Sequence, residues 1–228
     1  MRDVKILTTT QIRLFPPDLI PLLKLALPDN GKRIQSLFDF QVIEPIQQQG
    51  LYAGISLNGG TFKTESSTTT LIDFVRIEER RIAIKVAGQT SVGVSVFRAL
   101  ADLLREVNGG FELKEILCTH ETATSVVLDF PFQRLLSNEL TMFLERSQKH
   151  FRNPWSETMI LPRNLKFSVR YKVTDDSLLK SNVTLASKEL TIEPREHSSP
   201  EERLYWIYSP MDTETHFKLI EELEKTLR

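Results

Sequence analysis

Residues 70–110 constrain the fold more than any other part of the chain, because they join two strand patterns to one long helical pattern. Apolar residues alternate with polar or small ones along 70–77 and again along 81–87. This period of two predicts strands with one buried face. The charged residues between them predict a hairpin turn. We therefore expect a β-hairpin followed by a helix, with their apolar faces packed together.

The helical pattern that follows the hairpin has recognisable ends. We expect Thr90 or Ser91 to cap its first turn, and the run Asn108-Gly109-Gly110 to end it in a left-handed conformation. The apolar face of this helix consists of Val92, Val96, Leu100, Leu103 and Val107.

The composition is typical of an ordinary folded protein. The 228 residues suffice for one large or two small domains, and 40% of them are hydrophobic while 26% are charged. The net charge of −1 argues against a protein dominated by phosphate contacts, although it does not exclude a local basic patch.

Cys118 is the only cysteine, which excludes an internal disulfide framework and a cysteine-rich zinc site. A reducing, cytoplasmic location is therefore expected. The first residues lack the apolar segment of a signal peptide. No uncharged apolar run approaches the roughly 20 residues of a membrane helix, so we expect no membrane partner.

The first half begins with a strand at 4–15, followed by a helix at 19–27 that is apolar nearly all round. Such a helix is either buried or covered by a partner, and burial within the chain is the favoured interpretation. The run 28–31 is expected to end it. Further strands are predicted at 38–46, 51–57, 70–77 and 81–87, with turn residues at 58–60.

The second half begins at Phe111. Residues 113–130 are interpreted as one strand or as a hairpin that folds back near His120, and a helix is predicted from Pro131 to about His150. Strands follow at 165–173, 183–193 and 204–208. A final helix, capped near residue 212, is expected to bury Phe217, Ile220, Leu223 and Leu227.

The order of elements predicts an α+β fold built from two β-α-β(3-4)-α units, at 1–110 and 111–228. The two units repeat this order without obvious sequence similarity, so we interpret the chain as one compact, pseudo-duplicated domain. Several adjacent strands between two helices predict antiparallel sheet, as one sheet or two, with the helices packed on one face.

A β-α-β4-α unit present twice resembles the TATA-box-binding-protein fold, a saddle-shaped sheet backed by helices. The order of elements is also similar to that of a sporadically distributed group of uncharacterised bacterial proteins. The resemblance covers nearly the whole chain but rests on no residue motif, so it assigns no functional residue. A DNA-binding saddle is expected to be markedly basic and to carry phenylalanine wedges, whereas this chain is neutral overall.

The sequence contains none of the common motifs of phosphate-binding loops, zinc proteases or serine hydrolases. Cys118 and His120 are expected to share one strand face, with Glu121 on the other, and a thiol beside an imidazole can act as nucleophile and base. An incidental pair is the favoured interpretation. We therefore predict no catalytic residue, no metal site and no cofactor. The remaining histidines, His150, His197 and His216, are interpreted as surface or helix-end residues.

Basic residues lie on the polar side of two strands and predict a binding face for a nucleic acid or an acidic partner. The alternative is a solvated face whose cations are paired with nearby glutamates such as Glu78 and Glu189. Phe167 and Tyr171 are expected on the opposite face of their strand, so base stacking beside these charges is not indicated. The predicted cations are Arg81, Lys85, Lys166, Arg170 and Lys172.

Three large apolar side chains are candidates for a protein interface: Trp155, Tyr205 and Ile207. Tyr205 and Ile207 alternate with Trp206 and Tyr208, so the strand is apolar on both faces. Such a strand is buried on both sides or meets a partner on one, and internal burial is the favoured interpretation.

These observations lead to three hypotheses for function. The first is a non-enzymatic protein-interaction or assembly module, as a homo-oligomer or as a subunit of a larger complex. The second is a nucleic-acid-binding saddle that uses a basic sheet face. The third is a pocket between sheet and helices that binds a small ligand or carries out catalysis.

Overall fold

The computed structural model describes residues 4–64, 68–147, 164–171, 185–196, 198 and 202–227. Its first half contains β1 (Val4–Leu14), α1 (Leu22–Leu25), α2 (Pro28–Phe38), β2 (Val42–Gln48), β3 (Leu51–Lys63), β4 (Thr69–Glu78), β5 (Arg81–Ala87) and α3 (Thr90–Val107). Its second half contains β6 (Leu117–Val127), a 3₁₀ turn (Phe132–Leu135), α4 (Asn138–Ser147), β7 (Leu165–Val169), β8 (Lys188–Pro194), β9 (Leu204–Ser209) and α5 (Thr213–Leu227).

All the described strands form one sheet in the order β2-β3-β4-β5-β1-β6-β9-β8-β7, and every neighbouring pair is antiparallel. The helices α2, α3 and α5 pack against one face of this sheet. The opposite face, which these helices do not cover, is called the open face below. The predicted α+β class, with antiparallel strands and helices on one face, is confirmed.

The strands β1 and β6 lie side by side at the centre of the sheet and join its two halves. Their backbone pairing runs without a break from Thr8–Ala123 to Leu14–Leu117. Of the two interpretations of residues 113–130, one strand or a hairpin near His120, the single strand is correct, because β6 pairs with β1 on one side and with β9 on the other. Both edges of its backbone are therefore satisfied without a hairpin.

The helix-facing side of the sheet carries two separate hydrophobic cores. The first core lies under α2 and α3 and includes Ile34, Phe38, Leu57, Ile77, Ile84, Leu100 and Leu104. The second core lies under α5 and includes Val126, Phe130, Tyr205, Ile207 and Ile220. The apolar faces predicted for the hairpin 70–87 and for the last helix contribute to these cores.

A polar seam on β1 separates the two cores. Thr9, Gln11 and Arg13 face the helices and are at most 9% exposed. The guanidinium carbon of Arg13 lies 4.0 Å from the centre of the Phe97 ring, and the same group forms an ion pair with Glu115. It also donates hydrogen bonds to the side-chain oxygen of Gln11. These contacts compensate a charge that would otherwise be costly to bury.

The helix predicted at 19–27 is wrong in its extent. Only Leu22–Leu25 form α1, and Pro28, which was expected to stop a helix, is instead the first residue of α2. Proline fits there because the first N–H of a helix has no intrahelical partner. Gly31 lies inside α2, which ends at Asp39 in a left-handed conformation.

Three other predicted boundaries shift. The strand β3 continues through residues 58–60, which were expected to form a turn, because Asn58 and Gly60 pair with Phe74 and Ile72 of β4. Gly60 also lets the ring of Phe40 lie against the backbone of β3. The helix predicted from Pro131 is divided into the 3₁₀ turn and α4. The strand predicted at 165–173 ends at Val169, and residues 172 and 173 lie outside the described part.

The N-termini of α3 and α5 meet above the polar seam and share their capping groups. The backbone N–H of Thr90 donates to the hydroxyl of Thr213 at 2.9 Å, and the N–H of Thr213 donates to the hydroxyl of Thr90 at 2.9 Å. Thr90 was expected to cap its own helix, but the N-cap position is occupied by Gln89, which makes no side-chain capping bond. The first N–H of each helix is thus bonded by the other helix, while Asp212 caps α5 as predicted, accepting a hydrogen bond from the N–H of Thr215 at 2.9 Å.

His216, interpreted as a surface or helix-end residue, lies in the first turn of α5 and is buried in the second half. Its side chain is 0% exposed and lies between the hydroxyls of Thr124 and Ser209, at 2.9 Å from Nε2 and 2.7 Å from Nδ1. Burial lowers the pKa of His216 from its ordinary value of 6.5 to about 4. The other two histidines interpreted as surface residues, His150 and His197, lie outside the described part.

The close contact at Gly60 gives a test of the first core. A Cβ at this position would lie 2.6 Å from the Phe40 ring, so Gly60→Ala should lower the free energy of unfolding by about 1–3 kcal/mol. Gly31→Ala is the matched control, because nothing lies within 4 Å of its Cβ and alanine favours the helix by up to about 1 kcal/mol. Urea denaturation measures both, and an unchanged stability of Gly60→Ala would contradict the packing described.

The neutral state of His216 gives a second test. Because its pKa is depressed in the folded protein, the unfolded chain binds more protons between pH 6.5 and 4, and stability falls as the pH falls through this window. This pKa shift corresponds to a loss of about 3 kcal/mol in the free energy of unfolding. Denaturation measures the free energy of unfolding at pH 7 and at pH 4. The difference between the two values should be smaller for His216→Gln than for the unmodified chain. Equal differences would mean that His216 is accessible to protons in the fold.

Candidate functional site

The five predicted cations do not form one cluster. Arg81 and Lys85 lie together on the open face of β5, whereas Lys166 lies on β7, five strand spacings or about 24 Å away. Arg170 is exposed beyond the end of β7, and Lys172 lies outside the described part. The structure therefore brings only the first two of these residues together.

Each of the cations on a strand has an acidic neighbour. Arg81 contacts Glu78 at 2.6 Å, and Lys166 contacts Glu189 at 3.3 Å, which are two of the glutamates named in the solvated-face alternative. Lys85 contacts Asp73 at 2.9 Å. Exposed pairs of this kind contribute about 0–1 kcal/mol each, so they leave the cations available to a competing anion.

The open face contains a groove of about 410 Å³ across the centre of the sheet. Its floor carries mostly short side chains on β5, β1 and β6, namely Thr8, Thr10, Ala83 and Ala123, with the larger Ile12 beside them on β1. One wall is formed by β4 and β5 and carries Phe74, Arg76, Arg81 and Lys85. The other is formed by β6 and β9 and carries Glu121, Trp206 and Tyr208.

The sequence analysis missed Arg76 and Phe74 on the first wall. The guanidinium carbon of Arg76 lies 4.8 Å from the centre of the Phe74 ring, and no acidic partner is found for Arg76 within the described ranges. Alternation along β4 places Phe74 on the same side as Ile72, which is buried in the first core. The register shift between these two residues instead turns Phe74 toward the side of Lys85, its partner on β5.

The second wall combines aromatic rings with an ion pair. Trp206 has the guanidinium carbon of Arg195 at 5.7 Å from its ring centre. Glu121 forms an ion pair with Lys188. Burial and the neighbouring Glu121 carboxylate raise the pKa of Tyr208, so its hydroxyl stays protonated. The wall therefore offers ring faces and hydrogen-bonding groups side by side.

Two of the predicted interface residues are internal. Tyr205 and Ile207 are 2% and 1% exposed in the second core, which agrees with the favoured interpretation of internal burial. Tyr205 donates a hydrogen bond to the carbonyl of Phe130 at 3.0 Å, and burial raises its pKa to about 12. The third residue, Trp155, lies outside the described part.

An apolar groove of about 450 Å³ opens on the helix-facing side between β7, β8 and α5. Its lining is almost entirely aliphatic and aromatic, and Phe167 in it is 50% exposed. The side chains that line it include Leu135, Leu165, Phe167, Leu190, Leu219 and Leu223. In the first half, α2 packs on the sheet and covers the apolar side chains of the first core. Among the described residues, no helix covers the groove in the same way.

The helix α4 presents apolar side chains that are not buried. Leu140, Met142 and Phe143 are 42%, 48% and 62% exposed, and α4 has no buried residue. An amphipathic helix normally packs its apolar side against another surface, and ten residues are too few for a stable isolated helix. α4 therefore lacks the packing that its sequence favours.

A larger crevice of about 1040 Å³ lies at one end of the first half, between α1 and the tips of the β2–β3 and β4–β5 hairpins. Leu23 and Leu51 at its rim are 82% and 74% exposed. The hydroxyl of Tyr52 is buried there without a hydrogen-bond partner among the described residues. The crevice is lined by both polar and apolar side chains, and the part of this lining that the structure describes contains no nucleophile beside a general base.

Cys118 and His120 share a face as predicted, with 3.6 Å between Sγ and Nε2. Burial raises the pKa of the Cys118 thiol and lowers the pKa of His120, so both groups favour their neutral forms. This is opposite to the thiolate–imidazolium pair of a cysteine nucleophile. In the part of the chain that the structure describes, no three metal-ligating side chains are grouped to hold an ion.

No protein-family model matches the sequence, and no curated protein matches it. None of the helices within the described residues is long and apolar enough to cross a membrane. The surfaces described above are therefore interpreted from their own geometry.

The state of the Cys118 thiol can be measured directly. Because its pKa is raised, Cys118 should react with a disulfide reagent at pH 7.5 more slowly than free cysteine does, and its rate should still rise above pH 9. The chain has no other cysteine, so the absorbance change reports this site alone. A faster reaction than that of free cysteine, levelling off below pH 8, would indicate an activated thiolate and contradict the description.

Proposed function

We propose that this protein is a non-enzymatic protein-interaction module, which assembles as a homo-oligomer or as a subunit of a larger complex. One observation carries the proposal: the apolar groove between β7, β8 and α5 is open while the apolar side chains of α4 are exposed. Both surfaces gain free energy when a protein partner covers them.

The size of this gain is considerable. Complete burial of one leucine or phenylalanine side chain stabilises a complex by about 1.5–3 kcal/mol before the costs of association. Phe143 on α4 and Phe167 in the groove are 62% and 50% exposed, so at least half of this gain remains available to a partner in the single chain. Exposed apolar patches of this kind are typical of association surfaces.

A second copy of the chain is the first partner to consider. A groove and a helix on the same chain can form the same contact twice across a two-fold axis, which is the commonest symmetry of protein oligomers. The first half offers a comparison, because α2 buries Ile34 and Phe38, four residues apart, against the sheet. Leu140 and Leu144 have the same spacing on α4.

We also propose that residues 1–110 and 111–228 are two copies of one TATA-box-binding-protein-like unit. In support, the strand order is arranged symmetrically about the β1–β6 pair, with β5 beside β1 and β9 beside β6. Each half ends in a helix, and the first residues of these helices, Thr90 and Thr213, make equivalent contacts with each other. A cytoplasmic location is also proposed, because the only thiol, Cys118, is protonated and has no disulfide partner.

The proposal is tested by measuring the molar mass of the full chain with light scattering after size exclusion. We expect a mass of at least twice the 26.2 kDa of one chain. Phe143→Asp and Phe167→Asp should each shift the mass toward 26.2 kDa, because a carboxylate cannot be buried in an apolar contact without large cost.

Phe111→Asp is the matched control, because Phe111 is 70% exposed and lies neither on α4 nor in the groove. This variant should keep the mass of the unmodified chain. A monomer at every concentration, together with elution of the chain at 26.2 kDa from extracts of its own cells, would refute the proposal. Dissociation by Phe111→Asp alone would place the interface elsewhere.

A further inference from the structure

We infer that the groove on the open face binds a nucleotide unit, an aromatic base with its phosphate, either free or within a single strand. The inference is independent of the proposed assembly function, because the apolar groove and the open-face groove lie on opposite sides of the sheet. It rests on the side chains that five neighbouring strands bring to one concave surface.

The floor of the groove admits a flat ligand close to the strands. Apart from Ile12 on β1, its side chains are short: Thr8, Thr10, Ala83 and Ala123, of which the two alanines are only 6% and 9% exposed. The walls on β4 and β9 are four strand spacings apart, which is about 19 Å. The volume of about 410 Å³ lies within the range of small-ligand sites.

The wall on β4 and β5 supplies positive charge. Arg76 is exposed and has no acidic partner within the described ranges, whereas Arg81 is ion-paired with Glu78 at 2.6 Å and adds positive charge to the same wall. Lys85, beside them, is paired only with the exposed Asp73. Guanidinium groups with free donors in a groove are suited to phosphate oxygens. We therefore assign the phosphate to this wall.

The wall on β6 and β9 supplies ring faces. Trp206 and Tyr208 lie at adjacent positions of one side of β9, and Arg195 adds a cation beside the Trp206 ring at 5.7 Å. Every base has a π-face that can stack on such rings. Glu121 lies on the same wall, where its carboxylate can accept a hydrogen bond from the amino group of a base. We therefore assign the base to this wall.

An extended acidic peptide is the competing ligand, because it also fits a groove with cations. The distribution of charge favours the nucleotide: the cations lie mainly on one wall, while the other wall carries aromatic rings and the acidic Glu121. A polyacidic peptide would leave the rings of Trp206 and Tyr208 unused, and it would find Lys188 beside that wall already paired with Glu121. A nucleotide satisfies both walls with one phosphate and one base.

The test uses the full chain, freed of nucleic acid by nuclease and salt. Fluorescence anisotropy of a labelled single-stranded 12-mer of deoxycytidine measures binding at 50 and 200 mM NaCl. The chain has two tryptophans, so Trp155→Phe leaves Trp206 as the only one, and its fluorescence reports contact with a base. We expect binding, quenching of Trp206 and an affinity that falls with salt.

Variants separate the two walls. Trp206→Leu should weaken binding of the 12-mer by about 5- to 150-fold through lost stacking. Arg76→Gln should weaken binding of the 12-mer and should reduce the slope of log affinity against log salt concentration by about one, because one fewer counterion is released. Arg98→Gln is the matched control, because Arg98 is exposed on α3 on the other side of the sheet, and it should leave the affinity unchanged.

Competing ligands identify the source of the nucleotide. Displacement of the 12-mer by cytidine monophosphate would indicate a free nucleotide, whereas displacement only by unlabelled 12-mer would indicate a single strand. Both outcomes support the inference. No binding at 100 µM protein, binding without quenching of Trp206, or equal affinity of Trp206→Leu would overturn it. Equal competition by poly-glutamate or by a DNA duplex would also overturn it.

Discussion

The antiparallel pairing of β1 with β6 is the interaction on which the rest of this structure depends. It is formed by the first strand of each half, and it makes one continuous sheet from the two halves. On the helix-facing side, the polar residues of β1 keep the two hydrophobic cores apart, and Arg13 is compensated there by Gln11, Phe97 and Glu115. On the open face, the short side chains of the same two strands form the floor of the central groove. The β1–β6 pair therefore accounts both for the separation of the two cores and for the concave surface on the open face.

Much of the fold was predictable because periodicity is a local property of the sequence. The alternation along β5 and the helical spacing along α3 identified both elements correctly. The errors arose where a residue type is compatible with two structures. Pro28 and Gly31 were interpreted as a helix end, but proline also suits a first helical turn, and an exposed helix tolerates glycine at a cost of about 1 kcal/mol. The actual stop of α2 is the left-handed Asp39, for which the sequence carries only a weak signal.

The candidate sites were less predictable because they depend on which strands become neighbours. Arg81 and Lys85 were identified from one strand, but their association with Phe74 and Trp206 requires the order β4-β5-β1-β6-β9, which spans more than a hundred residues of sequence. His216 shows the same limit. It lies one helical turn before Ile220 on the inner side of α5, but its hydroxyl partners come from β6 and β9. Hydropathy marks such a histidine as polar, and only the tertiary structure shows that its hydrogen bonds are satisfied in the core.

The shared capping of α3 and α5 has a consequence for the cooperativity of the molecule. If either helix leaves the sheet, the other loses the hydroxyl that accepts its first N–H, and it is left with an unsatisfied, partly buried donor. The two N-termini also meet with like partial charges, so the threonine hydroxyls between them offset a repulsion that would otherwise separate the helices. The stability of one half is therefore linked to the folded state of the other. We expect amide hydrogens in both cores to exchange through the same global opening, so that neither half behaves as an independent folding unit.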